Sequence, residues 1–203
     1  MKVFLRDDIA NLDQQDLEPL LLQLPAWRRD SARRFRHLAG QLENATAFLL
    51  LQDALCHEYG IRDIPPFDYD ANGKPFLPAY PGLHFNLSHC RNAVVCALGD
   101  SPVGVDVERI RCVGDSLVRY TMNATEQEQI HTALSPERMF TRLWTRKEAV
   151  LKFTGQGVGN RMHDVLLPDH LLDLGIEVRS FEQPDCVFSV ATRIGVPLQV
   201  ITK

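Results

Sequence analysis

Two short stretches of this chain combine residue types and spacings that suit chemistry around a hard cation. The first is Gly104-Val105-Asp106-Val107-Glu108, preceded by Val103. Valines alternate with Gly104, Asp106 and Glu108, which is the period of a strand. Asp106 and Glu108 therefore leave one face, about 7 Å apart along the chain, and the valines leave the other toward a core. Two carboxylates on one face repel each other unless a cation sits between them. An all-oxygen pair suits a hard divalent ion, and magnesium of this kind keeps some water while bridging to substrate phosphates. A solvated strand face carrying two acids has the same pattern. The second stretch runs from Trp144 through Thr145, Arg146, Lys147, Glu148, Ala149, Val150 and Leu151 to Lys152. Met139, Phe140, Leu143, Trp144, Val150 and Leu151 mark a helix with a wide apolar side. Trp144, Glu148 and Lys152 are spaced by four and form one row on it. An aromatic, an acid and a base stacked beside apolar packing are partly desolvated, and desolvation with neighbouring charge moves pKa values into a useful range. An exposed Glu–Lys pair of purely local value has the same spacing.

The elements that position these residues follow from the rest of the chain. Residues 2 to 5 read as a strand, and 12 to 24 as a leucine-rich helix interrupted by Pro25. Arg28, Arg29, Arg33, Arg34, Arg36 and His37 form the densest basic run, on a helical stripe of Phe35, Leu38 and Leu42. That run is either a solvated helix face or a local anion site. Residues 45 to 59 predict an apolar helix stopped by Gly60. Asn72-Gly73, between Phe67-Asp68-Tyr69 and Phe76-Leu77, predicts a tight hairpin turn, with Lys74 and Pro75 at its exit. Phe85-Asn86-Leu87 reads as a strand ending in Ser88-His89-Cys90, and 93 to 98 as a buried strand. Gly99-Asp100-Ser101-Pro102 turns the chain into the acidic strand at its midpoint, so the expected lobes are 1–100 and 101–203. Asn123 to Glu126 fits a capping box, and Ser135-Pro136 opens the helix that bears Glu148 and Lys152. The run Thr154-Gly155-Gln156-Gly157-Val158-Gly159 follows a helix, so it reads as a turn instead of a phosphate loop. Strands are expected at 164–167, 176–182, 186–192 and 197–202, forming a terminal sheet. Helices and hairpins mixed in each half predict an α+β fold.

Composition bounds the function. With 203 residues, 45% of them hydrophobic, and a formal net charge of −4, the chain reads as globular with a core of normal depth. The acidic balance gives no sign of a general nucleic-acid binder. Cys56, Cys90, Cys96, Cys112 and Cys186 are odd in number and form no CxxC pair, so a reducing cytoplasm is expected. Asp7 and Asp8 stand where a signal peptide would be apolar, and nothing approaches a membrane span. His84 and His89 have no partnering spacing that would make a zinc site.

Gly73-Lys74-Pro75, then Phe85-Asn86-Leu87-Ser88-His89, then Gly104 to Glu108, then Trp144 to Ala149 with Lys152, in that order and at those separations, closely resemble the 4′-phosphopantetheinyl transferases of the surfactin-synthetase-activating type. The resemblance runs from about residue 28 to about residue 160. It implies two similar pseudo-repeat halves in one chain, each a small, mainly antiparallel sheet packed with helices, with the site at their junction. It implies transfer of the phosphopantetheine arm of coenzyme A to a serine of an apo acyl, peptidyl or aryl carrier protein, releasing adenosine 3′,5′-bisphosphate. By position, Asp106, Glu108 and Glu148 hold magnesium, or manganese in its place. Glu148 is the general base, and Lys152 serves the phosphate or the leaving group. The coenzyme A contacts implied are Arg28, Gly73, Lys74, Pro75, Ser88, His89, Asp106 and Lys152. The chain departs from the pattern at Ser31, where a lysine is common, and at Glu43-Asn44, where an arginine is common. The 3′-phosphate grip is then weaker, or made by Arg29, Arg33 or Arg34. One chain with both lobes needs no partner to complete the site, so a monomer is expected, without nucleic-acid or membrane partners. The competing readings are a catalytically silent module that binds coenzyme A or a carrier protein on the same fold, and an unrelated magnesium-dependent phosphohydrolase.

Overall fold

The computed structural model describes residues 1–157 and 162–203, so Val158 and Gly159 of the glycine run lie outside the described residues. In chain order the elements are β1 (Lys2–Arg6), α1 (Gln14–Leu22), α2 (Ala26–Arg33), α3 (Leu38–Tyr59), β2 (Asp68–Tyr69), β3 (Pro75–Phe76), β4 (His84–His89), β5 (Val94–Gly99), β6 (Val103–Arg109), α4 (Asp115–Thr121), α5 (Ala124–Thr132), α6 (Pro136–Thr154), α7 (Pro168–Leu174), β7 (Ile176–Glu182), β8 (Cys186–Arg193) and β9 (Gln199–Thr202). The fold is α+β, as the mixed helix and hairpin signals predict.

Alternation along the strands builds the layers. One sheet has the order β4-β5-β1-β9 and the other β6-β8-β7. Phe4, Val94, Cys96 and Leu98 pack with α1 and α3 residues such as Leu21, Phe48 and Leu55. The alternate residues Val3, Leu5, Val95 and Ala97 pack against Val103, Val105, Val107, Phe188 and Val190 of the second sheet. All six residues of β5 are buried because both of its faces are covered. The remaining face of the second sheet meets α6, where Ala149, Val150 and Phe153 join Ile176 and Ala191. Helix, sheet, sheet and helix thus stack in that order, and the acids of β6 sit on the side facing α6.

Gly104 sets how close that last layer lies. A Cβ built on it would fall 2.0 Å from the Ala149 carbonyl oxygen and 2.4 Å from the Phe153 amide nitrogen. Only a glycine lets the helix backbone press onto the strand there. Asp106 and Glu108, further along the same face, are thereby brought opposite the row of Glu148 and Lys152.

Three expectations are corrected, and one helix was not foreseen. Residues 164–167 form no strand: Met162–Asp164 is a 3₁₀ turn, and Pro168 opens α7, whose Leu171 and Leu174 pack on the cluster of Val165 and Ile176. The last strand does not join the terminal sheet but pairs in parallel with β1, covering the edge of β1 opposite β5. The basic run is not one helix with its apolar stripe, since α2 ends at Arg33 and α3 begins at Leu38, seven residues before the expected start. Helix α4 was not anticipated, because its seven residues offer Leu117 and Val118 as the apolar signal.

Gly104→Val should lower stability by about 3 kcal/mol or more, because the overlap is with backbone that cannot repack. Urea unfolding followed by circular dichroism measures this; a midpoint within error of the parent would show that α6 does not rest on this glycine.

Candidate active site

β4 and β6 belong to different sheets, and two side chains of β4 join them. Asn86 accepts a hydrogen bond at Oδ1 from the Val105 amide at 2.8 Å. Ser88 accepts at Oγ from the Val107 amide at 3.2 Å and donates to Asp106 Oδ1 at 2.9 Å. Asn86 and Ser88 are two apart, as are Val105 and Val107, so strand periodicity on both sides lets the side chains meet alternate amides. Lys152 reaches in from the last turn of α6 and donates to Asp106 Oδ1 at 2.7 Å and to Ser88 Oγ at 3.0 Å. Asp106 is only 4% exposed. Its second oxygen, Oδ2, is buried and has no hydrogen-bond partner among the described residues.

The other two acids respond to the same field. Burial raises the Glu148 carboxyl first, the Asp106 charge adds to it and Lys152 opposes, with a smaller push from Glu108; the result is a pKa of about 7. Glu108 is raised by burial and then by Asp106, with Arg111, Lys152 and Trp144 pulling the other way. Trp144, Glu148 and Lys152 are all partly buried, which fits their spacing as one row. The three carboxylates thus share one pocket of potential. Among the described residues, no three acids, histidines or cysteines close into a ligand cluster around one point. A divalent cation nevertheless fits the donor chemistry. Asp106 Oδ2 is a desolvated acceptor without a partner among the described residues, and two neighbouring carboxyls hold protons more tightly than normal because they are buried and face the Asp106 charge.

Gly73, Lys74, Pro75, Asn86, Lys152 and Gly155 to Gly157 line a cleft of about 230 Å³ beside Asp106. Gly73, at φ 81°, takes the left-handed turn position that the hairpin signal predicts. The Lys74 ammonium, however, donates to the carbonyls of Val103 at 2.9 Å and Lys152 at 2.8 Å. His89 contacts Glu43, Nδ1 to Oε2 at 3.0 Å. Arg28 lies over the rings of Phe48 at 5.4 Å and Phe67 at 5.9 Å, and its buried Nε–H has no acceptor. Of the three alternative basic residues, Arg29 donates to the Leu21 and Leu24 carbonyls and Arg33 pairs with Glu18, whereas Arg34 is exposed without a side-chain partner among the described residues.

Sequence reasoning missed two buried polar links behind the site. Lys147, fully buried, pairs with Glu126 at 2.8 Å and donates to the Met162 carbonyl at 2.5 Å. Thr145 and Ser189 share a hydrogen bond of 2.8 Å between α6 and β8. Lys147 was findable: it falls in the helical phase of Leu143, Val150 and Leu151, and a lysine in that phase needs a buried acid.

The family model described as the 4′-phosphopantetheinyl transferase superfamily matches residues 102–186, the segment from β6 to the start of β8. The 4′-phosphopantetheinyl transferase psf-1 of Bacillus pumilus is 28% identical over 212 residues, covering 95% of this chain and 90% of that one. The 4′-phosphopantetheinyl transferase Sfp of Bacillus subtilis (strain 168) is 27% identical over 151 residues, 72% of this chain and 67% of that one. The 4′-phosphopantetheinyl transferase AcpT of Salmonella typhi is 38% identical over 144 residues, 68% of this chain and 66% of that one. The matched segment holds both the acidic strand and the Glu–Lys helix row. This chain belongs to the 4′-phosphopantetheinyl transferase superfamily.

The raised Glu148 pKa carries a signed prediction. The folded state holds this proton up to about pH 7, whereas the unfolded chain releases it near the ordinary value of 4.5. The metal-free protein should therefore lose stability as pH rises from about 4.5 to about 7, and Glu148→Gln should flatten that slope. Thermal melts across this window test it; parallel slopes for parent and variant would mean that Glu148 does not carry the effect.

Proposed function

We propose that this chain transfers the phosphopantetheine arm of coenzyme A to a serine of an apo acyl, peptidyl or aryl carrier protein, giving adenosine 3′,5′-bisphosphate as the other product. The observation that carries this reading is the group at Asp106: one oxygen held by Ser88 and Lys152, the other bare, with Glu108 and Glu148 in the same field. Asp106, Glu108 and Glu148 would hold magnesium. That ion, when bound, supplies positive charge to the pyrophosphate and polarises the phosphorus under attack.

The residues of the chain do the rest. Glu148, on the α6 row that faces Asp106, takes the proton of the serine hydroxyl as its oxygen bonds to phosphorus. The bond from that phosphorus to the adenosine-side phosphate oxygen breaks, and the leaving phosphate takes the electron pair. Lys152, already between Ser88 and Asp106, donates a hydrogen bond to the charge that develops there. Gly73 and Pro75 wall the cleft assigned to the nucleotide, and Arg28, half-buried against Phe48 and Phe67, is the cation this reading assigns to the 3′-phosphate. The chain acts as a monomer in the cytoplasm under this reading, with coenzyme A and a carrier protein as its partners. A silent binding module would tolerate loss of the acids and has no use for the bare Asp106 oxygen.

Incubation with coenzyme A, magnesium and a panel of apo carriers should add one phosphopantetheine to at least one carrier, read by intact mass. Glu148→Gln should lower turnover by about a hundredfold or more without changing the melting temperature at acidic pH. Turnover within a few fold of the parent would remove Glu148 as base.

A second outcome concerns the 3′-phosphate. Arg29 and Arg33 are engaged, and His89 already faces Glu43, which leaves half-buried Arg28 and exposed, water-screened Arg34 on that side. Coenzyme A and its 3′-dephospho form should then differ by less than about tenfold in KM, the value of one modest charge contact. A hundredfold preference for coenzyme A would point to a full cationic grip.

A further inference from the structure

The hairpin residue Lys74 makes contacts that a substrate ligand would not need. Its loop is fixed by Asp70, whose Oδ1 accepts from the amides of Asn72 and Lys74, both at 2.9 Å. From that anchored base the side chain crosses to the other half of the chain. Its ammonium donates to the carbonyls of Val103 at 2.9 Å, Lys152 at 2.8 Å and Phe153 at 3.5 Å. Val103 is the first residue of β6, and Lys152 and Phe153 belong to the last turn of α6. The final carbonyls of a helix have no partner within it and carry the negative end of its dipole. Here Thr154 Oγ1 bonds the Leu151 carbonyl, and Lys74 takes the next two. All three ammonium hydrogens thus have acceptors, none of them a carboxylate. The residue whose carbonyl Lys74 holds most closely on the helix is Lys152, and the Lys152 side chain binds Asp106 and Ser88.

We infer that Lys74 is a positioning residue: its ammonium caps α6, ties the helix end to the start of β6, and so holds Lys152 in register with Asp106, instead of binding the nucleotide. Its role in turnover rests on the transferase reading above; its role in holding the helix end does not. The cleft that Lys74 walls is then lined for phosphate by Lys152 and by backbone of the hairpin and of residues 155–157. The geometry accounts for a lysine at this point, since three rotatable donors on one atom reach three carbonyls at once.

Lys74→Met keeps the stem and removes the donors. The expected result is a fall in kcat of about tenfold or more, as a small displacement of a reacting group brings, with the KM for coenzyme A changed by less than about threefold. Combined with Lys152→Met, it should add less than about twofold to the loss from Lys152→Met alone, because both act through one group. Lys74→Arg should recover at least part of the lost rate. Amide exchange in the last turn of α6 should quicken by about tenfold in Lys74→Met while the middle of the helix is unchanged. Lys74→Gln, shorter but still a donor, takes its place with the same readouts should Lys74→Met fail to fold.

A large rise in KM with kcat intact would make Lys74 a ligand contact and overturn the inference. So would losses that multiply with those of Lys152→Met, or a lower melting temperature with parental kcat and unchanged exchange at the helix end. Should the parent modify no carrier at all, the transferase reading fails by itself, and the exchange measurement still decides whether Lys74 holds α6.

Discussion

The structure of the site depends on one carboxylate that is buried and half satisfied. Asp106 Oδ1 receives hydrogen bonds from Ser88 and Lys152, whereas Oδ2 has none. A buried charge without full compensation is costly, and proteins keep one where its partner arrives from outside. The same charge reaches Glu148 and Glu108 and raises both. Three acids on two elements are therefore one electrostatic object, although β6 and α6 lie about forty residues apart in the chain.

That object exists because two sheets and a helix meet at one line. The valines of β6 face the first sheet, so its acids face α6. Gly104 lets the helix come close, and Asn86 and Ser88 fasten β6 to β4 through side chains where no backbone ladder runs. Behind the site, the Lys147–Glu126 pair and the Thr145–Ser189 bond fix the far side of α6. Each of these contacts is polar, directional and buried, so each allows little choice of register. Apolar packing by itself would tolerate a helix shifted along the strand; these contacts do not.

The parts of the site legible in the sequence were those set by a local period. Strand alternation placed Asp106 and Glu108 together, and helical spacing aligned Trp144, Glu148 and Lys152. The Asn72-Gly73 turn and the cap at Asn123 were legible for the same reason. Contacts between distant segments left no such trace. Nothing local tells that Ser88 donates to Asp106, that Glu43 meets His89, or that Lys74 spans 78 positions to a helix carbonyl. The return of β9 to β1 was hidden too, because a short alternating strand fits either sheet edge equally well. The false strand at 164–167 came from a brief apolar run, Val165-Leu166-Leu167, for which strand and turn have the same pattern.

Under the transferase reading, the charge balance makes nucleotide and metal depend on each other. Three carboxylates against the ammonium of Lys152 leave the group negative, more so when Glu148 is ionised. A pyrophosphate approaching alone would meet that potential at short range in a partly desolvated cleft, where screening by water is weak. A cation approaching alone would find the bare oxygen of Asp106 but no closed set of ligands, since the acids do not converge on one point. Each lacks what the other would bring: the phosphate would supply further oxygen donors, and the ion would offset the repulsion. With about half of the Glu148 groups protonated near pH 7, the same balance is also within reach of ordinary changes in pH.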